Sequence, residues 1–215
     1  MSNGLRDTVA LVTGASSGIG EATAHALAAQ GATVAVVARR KDRLDALASA
    51  IGGLAIETDV TDRSQAQAAV ERTAEELGRL DIVINNAGVM LLGPIVDAPV
   101  EEWDRMIELN LQGLLYVAHA ALPHLLSAAE REPRRVADPR QRQLGRGPPR
   151  RSRRRHLPAE LLTHVREEVR SQLPPGVDEI LLAEDIADAI LLYIVTRPRH
   201  VAINEILVRP TEQVR

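Results

Sequence analysis

VALVTGASSGIG, residues 9–20, is the stretch of sequence that decides the fold of this chain. Its first four residues are all apolar, a run that is typical of a strand buried in a parallel sheet. Thr13 and glycines at positions 14, 18 and 20 follow, and residues 21–30 have the composition of a helix. We therefore predict a strand that leads through a glycine turn into a helix.

The glycine turn predicts a binding site for a diphosphate. Backbone N–H groups at the start of a helix attract anions, and glycine lets a phosphate approach them because it has no Cβ. Ser16 and Ser17 add hydroxyl donors to the same turn. The alternative is a tight strand-to-helix connection that binds nothing, but the strand before the turn and the helix after it favour a dinucleotide site.

The composition limits the class of protein. With 215 residues, 45% of them hydrophobic, the chain is long enough for one core, and we predict a single domain over residues 1–215. It has no cysteine, which excludes disulfides and thiolate chemistry. Residues 1–7 are polar, no apolar run is as long as a membrane span, and the six histidines lack metal-ligand spacing. We expect a cytoplasmic protein with no metal site and no membrane contact.

Basic residues follow the second predicted strand, Thr33–Ala38. In a dinucleotide fold the end of this strand lies beside the adenosine ribose, where an acid selects NAD and a base accommodates the 2′-phosphate of NADP. This chain has Arg39 and Arg40 there, and no acid before Asp42. The sequence therefore favours NADP, although the arginines could instead form a solvated cap on the next helix.

Strands and helices alternate through the rest of the amino-terminal half. The further elements that we predict there are helices over 44–51, 64–77 and 100–129 and strands over 54–58 and 80–84. This alternation is typical of an α/β fold with a doubly wound parallel sheet, which binds its ligand at the carboxyl ends of the strands. Asp59-Val60 follows one strand, and Asn85-Asn86-Ala87-Gly88 follows the next. The latter could hold a cofactor or form only a polar turn.

Asn110 lies within the apolar seam of the helix predicted over 100–129. A bare amide in such a seam costs free energy unless its hydrogen bonds are satisfied. We predict either a site residue that kinks the helix or a core amide with hydrogen-bond partners.

Taken together, these motifs resemble the short-chain dehydrogenase/reductase family. The resemblance rests on Thr13-Gly14-x-x-x-Gly18-x-Gly20, Asp59-Val60, Asn85-Asn86-Ala87-Gly88 and Asn110, in that order. It covers residues 7–130, the cofactor half, and returns near Leu161, with a helix expected over 184–195 and a last strand over 203–210. The tail and Met90-Leu91-Leu92-Gly93-Pro94 look like NADP-dependent members that act on small hydroxy acids and aldehydes, including clavulanate-type dehydrogenases.

The resemblance implies hydride transfer between NADP(H) and a small carbonyl or hydroxy compound, in a homo-oligomer. It implies one catalytic-site residue, Asn110, which would help to hold a water in the proton relay. The residues that it implies for cofactor binding are Gly14, Ser16, Ser17, Gly18, Ile19, Gly20, Arg39, Arg40, Asp59, Val60, Asn86, Ala87 and Gly88.

The chain departs from this family after residue 130. Family members use a serine after the fifth strand and a Tyr-x-x-x-Lys on the next helix, but here the only tyrosines are Tyr116 and Tyr193 and the only lysine is Lys41. We predict that the fifth and sixth strands and the catalytic helix are missing or scrambled, that the chain is inactive as written, and that its oligomer is in doubt. The alternative is a non-catalytic NADP(H)-binding or regulatory protein with a basic interaction arm.

An arginine- and proline-rich segment occupies residues 131–157, before the carboxyl-terminal remainder at 158–215. Residues 131–155 contain eleven arginines and two acids and have no apolar periodicity, so we expect disorder. Such a segment attracts nucleic-acid phosphates, but it contains no aromatic residue that could stack on a base. We therefore do not predict nucleic acid as a partner.

A shifted reading frame explains the arginine- and proline-rich segment better than a disordered basic segment does. A family strand such as Leu-Val-Asn-Val-Ser-Ser-Val-Ala-Gly-Arg, written in GC-rich codons and read one base earlier after a C, becomes Pro-Arg-Gln-Arg-Gln-Leu-Gly-Arg-Gly-Pro. That is the sequence of Pro139–Pro148. We predict a frame error that begins near Asp138 and ends before Leu161, with coding material lost between them.

Overall fold

The computed structural model describes residues 5–131 and 182–194. The strands are β1 Val9–Thr13, β2 Thr33–Ala38, β3 Leu54–Glu57 and β4 Ile82–Ile84. The helices are α1 Gly18–Ala29, α2 Lys41–Ile51, α3 Arg63–Leu77, α4 Val100–Ile107, α5 Leu114–Arg131 and α6 Ala183–Ile194. A π-helical segment, Glu108–Gly113, joins α4 to α5. The fold is α/β and Rossmann-like, as the alternation of elements predicts.

The four described strands form one parallel sheet in the order β3-β2-β1-β4. Ala10 of β1 pairs with Val34 on one side and with Ile82 on the other. The chain therefore builds outward from β1 to β3 and then returns to the other side of β1. This reversal opens a crevice between the carboxyl ends of β1 and β4, where parallel sheets of this kind bind ligands.

Apolar layers cover both faces of the sheet. Because side chains alternate along a strand, Ala10 and Val12 belong to one layer and Leu11 to the other. Helices α1, α2 and α6 contribute to the first layer and α3 and α5 to the second. Helix α6 packs against α1 and buries Ala187 in the first layer. Residues from beyond the arginine-rich segment thus join the same core as residues near the amino terminus.

The structure moves four of the predicted boundaries by two residues or more. Helix α2 begins at Lys41 and not at residue 44, because residues 41–43 already form its first turn. Helix α1 begins at Gly18 and not at residue 21, because the last two glycines of the turn already form its first turn. Strand β4 begins at Ile82 and not at residue 80, because only Ile82–Ile84 pair along β1. The helix predicted over 100–129 is interrupted by the π-helical segment and extends to Arg131.

Several predictions concern residues that the structure does not describe. These are the absence of the fifth and sixth strands and of the catalytic helix, disorder over 131–157, and the last strand over 203–210. Within the described ranges, the sheet ends at β4. None of the helices described is both long enough and apolar enough to cross a bilayer.

Candidate functional site

The site is built where β1 and β4 end, and Thr13 joins the two strands there. Its buried hydroxyl oxygen accepts hydrogen bonds from the backbone N–H groups of Asn86 and Ala87, each at 3.0 Å. In return, the side-chain amide of Asn86 donates to the carbonyl oxygens of Thr13 and Gly14, at 3.0 and 3.3 Å. The turn after β4 is thereby fixed against the glycine turn after β1.

The three glycines of the turn have different roles. A Cβ on Gly14 would lie 2.8 Å from Cα of Ala87, and one on Gly20 would lie 2.4 Å from the carbonyl oxygen of Gly14. These two glycines are therefore required by contacts within the protein. A Cβ on Gly18 would meet nothing within 4 Å, although the residue has a φ of +59° that favours glycine. Only Gly18 borders open space that a ligand could occupy.

The backbone N–H groups at the start of α1 do not donate to the side chain of the N-cap residue. Ser17 precedes the helix in an extended conformation and makes no side-chain capping hydrogen bond. The first N–H groups of a helix have no partner within the helix, and the helix dipole adds a partial positive charge there. Together with the open space beside Gly18, this end of α1 fits an anion such as a diphosphate.

Arg40 connects the end of β2 to the same turn. Its Nε donates to Oγ of Ser16 at 3.0 Å, and its Nη2 donates to Oγ of Ser17 at 2.5 Å. The guanidinium is exposed whereas Ser16 is buried, so a positive charge faces solvent directly beside the glycine turn. Two hydroxyls and a guanidinium form a donor set suited to a phosphate group.

Arg39 faces a different partner, Asp59, after β3. Its Nη1 lies 4.0 Å from Oδ2 of Asp59, and both side chains are more than a third exposed, so the attraction is weak. The other carboxylate oxygen of Asp59 accepts from the backbone N–H and the hydroxyl of Thr61, at 3.0 and 2.7 Å. The next residue, Val60, is buried in the second apolar layer.

Asn110 binds the backbone just after the turn that follows β4. Its Oδ1 accepts from the N–H of Val89 and its Nδ2 donates to the carbonyl oxygen of Val89, both at 2.8 Å. The residue lies in the π-helical segment and is exposed, so the prediction that it lies in an apolar seam is wrong. The seam prediction assumed one regular helix, and the π-helical segment changes which residues face inward.

One buried polar atom after β4 has no hydrogen-bond partner in the part of the chain that the structure describes. It is the side-chain oxygen of Asn85. A buried acceptor of this kind costs free energy unless a ligand or another group donates to it.

The structure brings together most of the residues selected from the sequence. The glycine turn, Ser16, Ser17 and Arg40 form one group, and Asn86, Ala87, Gly88 and Asn110 surround the end of β4. Ile19 is exposed in the first turn of α1. Sequence reasoning missed the roles of Thr13, Asn85 and Val89. A threonine at the end of β1 and a second asparagine after β4 were visible signals, but the contact with Val89 left no pattern in the sequence.

Comparison with known sequences gives a consistent result. Residues 8–132 match the sequence profile described as short chain dehydrogenase. An uncharacterized oxidoreductase of Staphylococcus aureus strain MRSA252 is 35% identical over 228 residues, which cover 96% of this chain and 98% of the relative. A relative in Staphylococcus epidermidis, also called an uncharacterized oxidoreductase, has the same identity and coverage.

Solved structures match the amino-terminal half. A short chain dehydrogenase from Burkholderia cenocepacia J2315, solved in complex with NADP, is 37% identical with a TM-score of 0.55, over 56% of this chain and 52% of that one. A 3-ketoacyl-(acyl-carrier-protein) reductase from Brucella melitensis, complexed with NADH, is 33% identical with a TM-score of 0.57, over 59% of this chain and 53% of that one. The structural likeness therefore spans about half of each neighbour.

Proposed function

This chain belongs to the short chain dehydrogenase family, and on that basis we propose that it is an NADP(H)-binding oxidoreductase by descent. Its reaction class would be hydride transfer between NADP(H) and a small carbonyl or hydroxy compound. We also propose that the chain as written has lost this activity, because it has no Tyr-x-x-x-Lys.

The observation that carries the cofactor assignment is the contact of Arg40 with Ser16 and Ser17. These three side chains would hold the 2′-phosphate that distinguishes NADP from NAD, with Arg39 nearby. The first turn of α1, with Gly18 and Ile19, would hold the diphosphate. Asp59 and Val60 would border the adenine, and Asn86, Ala87 and Gly88 the nicotinamide half. The bound nicotinamide would supply or accept the hydride.

Three observations support a local frame error as the cause of the lost residues. The match to the family profile ends at residue 132, where the arginine-rich segment begins. The alignment to the staphylococcal relative runs over 228 positions, whereas this chain has only 215 residues, so the relative contains residues that this chain lacks. Helix α6 follows the segment and packs on α1, as expected if the frame has been restored.

Titration of the purified chain with NADPH and with NADH tests the cofactor assignment. We expect NADPH to bind at least about tenfold more tightly than NADH, since a charge-assisted hydrogen bond contributes about 1.5–3 kcal/mol. We expect no oxidation of bound NADPH by aldehydes or ketones. Equal affinity for the two cofactors would contradict the NADP assignment, and turnover would contradict the loss of activity.

A second candidate is a regulatory protein that binds NADP(H) without catalysis and uses the basic segment to contact a partner. The absence of Tyr-x-x-x-Lys together with an intact glycine turn favours it. A gene that encodes neither the serine-ending strand nor Tyr-x-x-x-Lys in any frame, with NADPH binding and no turnover, would distinguish it from a damaged enzyme. We also propose a likeness to clavulanate-type members and a cytoplasmic location. The homo-oligomer that the family implies is not proposed for this chain as written.

A further inference from the structure

The carboxylate of Asp59 is held in one orientation by residues that follow it in the chain. Its Oδ1 accepts hydrogen bonds from the backbone N–H of Thr61 at 3.0 Å and from the hydroxyl of the same residue at 2.7 Å. The backbone N–H of Asp59 donates to the side-chain oxygen of Gln65 at 3.0 Å. Both the backbone and the carboxylate of Asp59 are therefore fixed before a ligand binds.

Gln65 is itself fixed by the cap of α3. Its backbone N–H donates to Oδ1 of Asp62, the N-cap residue, at 3.0 Å, and its side-chain nitrogen donates to Oδ2 at 3.4 Å. An amide side chain tied at its own backbone and at its nitrogen presents its oxygen in one place. The first turn of α3 is thus connected to Asp59 by hydrogen bonds.

The other carboxylate oxygen of Asp59, Oδ2, is left open. Among the residues that the structure describes, none donates a hydrogen bond to it, and the guanidinium of Arg39 lies 4.0 Å away, beyond hydrogen-bond distance. The side chain of Asp59 is 37% exposed. Asp59 therefore presents one unoccupied acceptor, with a negative charge, in an orientation that its other oxygen determines.

This acceptor lies at the strand end where the adenosine of a dinucleotide is expected. The N–H of Thr58 donates to the carbonyl oxygen of Ala38 at 2.9 Å, so β2 and β3 stay together up to their carboxyl ends. In a dinucleotide fold the end of the second strand lies beside the adenosine ribose. A base attached to that ribose extends toward the neighbouring strand, β3, which Asp59 follows.

We infer that Thr61 and Gln65 are positioning residues, which hold Oδ2 of Asp59 where it accepts from the exocyclic amino group of adenine. The inference rests on the proposed function, because that proposal places the adenine beside Asp59. A purine with a carbonyl oxygen in place of this amino group has no hydrogen to donate, and its oxygen would face a carboxylate. Since the carboxylate cannot turn away without losing its bonds to Thr61, the site selects a base with an amino group.

The test compares NADPH with reduced nicotinamide hypoxanthine dinucleotide phosphate, using the full chain. In this analogue a carbonyl group replaces the amino group of the base, and the fluorescence of the dihydronicotinamide follows the binding of both nucleotides. We expect NADPH to bind at least about tenfold more tightly, because the analogue loses a hydrogen bond to a charged group. Equal affinity of the unaltered chain for the two nucleotides would overturn the inference.

Thr61→Val removes the hydroxyl and keeps the shape of the side chain. We expect it to reduce the preference for NADPH to about threefold or less, mainly by weakening NADPH, while Thr61→Ser keeps the preference. Gln65→Leu should lower the preference in the same direction, because it frees the backbone of Asp59. If Thr61→Val weakened both nucleotides equally, Thr61 would support only the fold, and the inference would be wrong.

Ser64→Ala is the matched control. It also removes a hydroxyl that donates to a carboxylate, but that carboxylate belongs to Asp62. The preference for NADPH should be unchanged, and a loss as large as that in Thr61→Val would contradict the role of Thr61. Failure of the unaltered chain to bind either nucleotide would overturn the proposed function itself, whereas tight binding of both without preference would overturn only the inference.

Discussion

The side-chain amide of Asn86 donates to the carbonyl oxygen of Gly14 at 3.3 Å and so joins the turns that follow β4 and β1. The two residues are 72 positions apart in the sequence. Their contact leaves no room beside Gly20, where a Cβ would lie 2.5 Å from the amide nitrogen of Asn86. The turn is therefore shaped by contacts within the protein, besides any requirement of the ligand that we propose for it.

Gly20→Ala and Gly18→Ala should separate these two requirements. We expect Gly20→Ala to lower the free energy of unfolding by about 3 kcal/mol, because the added methyl overlaps backbone atoms. Gly18→Ala should cost only about 1 kcal/mol, from its left-handed φ, and should weaken NADPH binding in the folded protein. Urea unfolding and NADPH titration measure both effects. Equal destabilisation by the two variants would contradict this division of roles.

The sequence predicted the sheet well because buried parallel strands are continuous apolar runs. Thr33–Ala38 was predicted with the bounds that β2 has in the structure. The start of α1 was predicted three residues too late, because glycine has a low helix propensity even where a first turn includes it.

The site was predictable only in part. Residues that act through a motif, such as Gly14 and Arg40, were identified from the sequence. The role of Thr13 was not, because its hydroxyl receives two backbone N–H groups from a turn more than seventy positions away. Asn110 was placed in an apolar seam because the π-helical segment that exposes it has no recognised sequence signature.

Arg40→Ala should change the choice of cofactor. It removes a guanidinium held by two serine hydroxyls, so we expect NADPH affinity to fall about 10- to 30-fold and NADH affinity to change less than about twofold. Arg39→Ala, whose side chain faces Asp59, is the comparison and should have a smaller effect on NADPH. An equal loss of affinity for both cofactors would show that Arg40 does not recognise the 2′-phosphate.

Asp62→Asn should make stability less dependent on acid pH. The hydroxyl of Ser64 and the backbone N–H of Gln65 donate to the carboxylate and hold the pKa of Asp62 below its ordinary value. A group with a lowered pKa stabilises the fold above its unfolded pKa of about 4, and this contribution is lost as the pH falls through the folded pKa. The variant keeps a side-chain oxygen that caps α3 but does not titrate.

We therefore expect the urea midpoint of Asp62→Asn to lie below that of the parent chain at pH 7 and to approach it as the pH falls well below 4. Glu75→Gln, on the exposed side of the same helix, controls for the loss of a carboxylate. A difference between Asp62→Asn and the parent that stays constant with pH would contradict the assignment.

Asn110→Ala should loosen the loop that starts at Val89. It removes two hydrogen bonds of 2.8 Å, for an expected loss of about 2 kcal/mol in the local opening free energy. Amide hydrogen exchange at Val89 measures this opening and should become faster by at least about tenfold. Asn110→Asp keeps the acceptor for Val89 and should show an intermediate rate. Unchanged exchange in the alanine variant would mean that the contact does not fix the loop.

The most direct test of the account is the nucleotide sequence of the gene across the codons for residues 128–165, read in all three frames. The account predicts that a neighbouring frame encodes a strand ending in serine and a following Tyr-x-x-x-Lys, at least in part. It also predicts that the frame error ends, and the family's reading frame resumes, before the codon for Leu161. A gene in which neither motif is encoded in any frame would contradict the frame error and leave a non-catalytic NADP(H)-binding protein as the function to pursue.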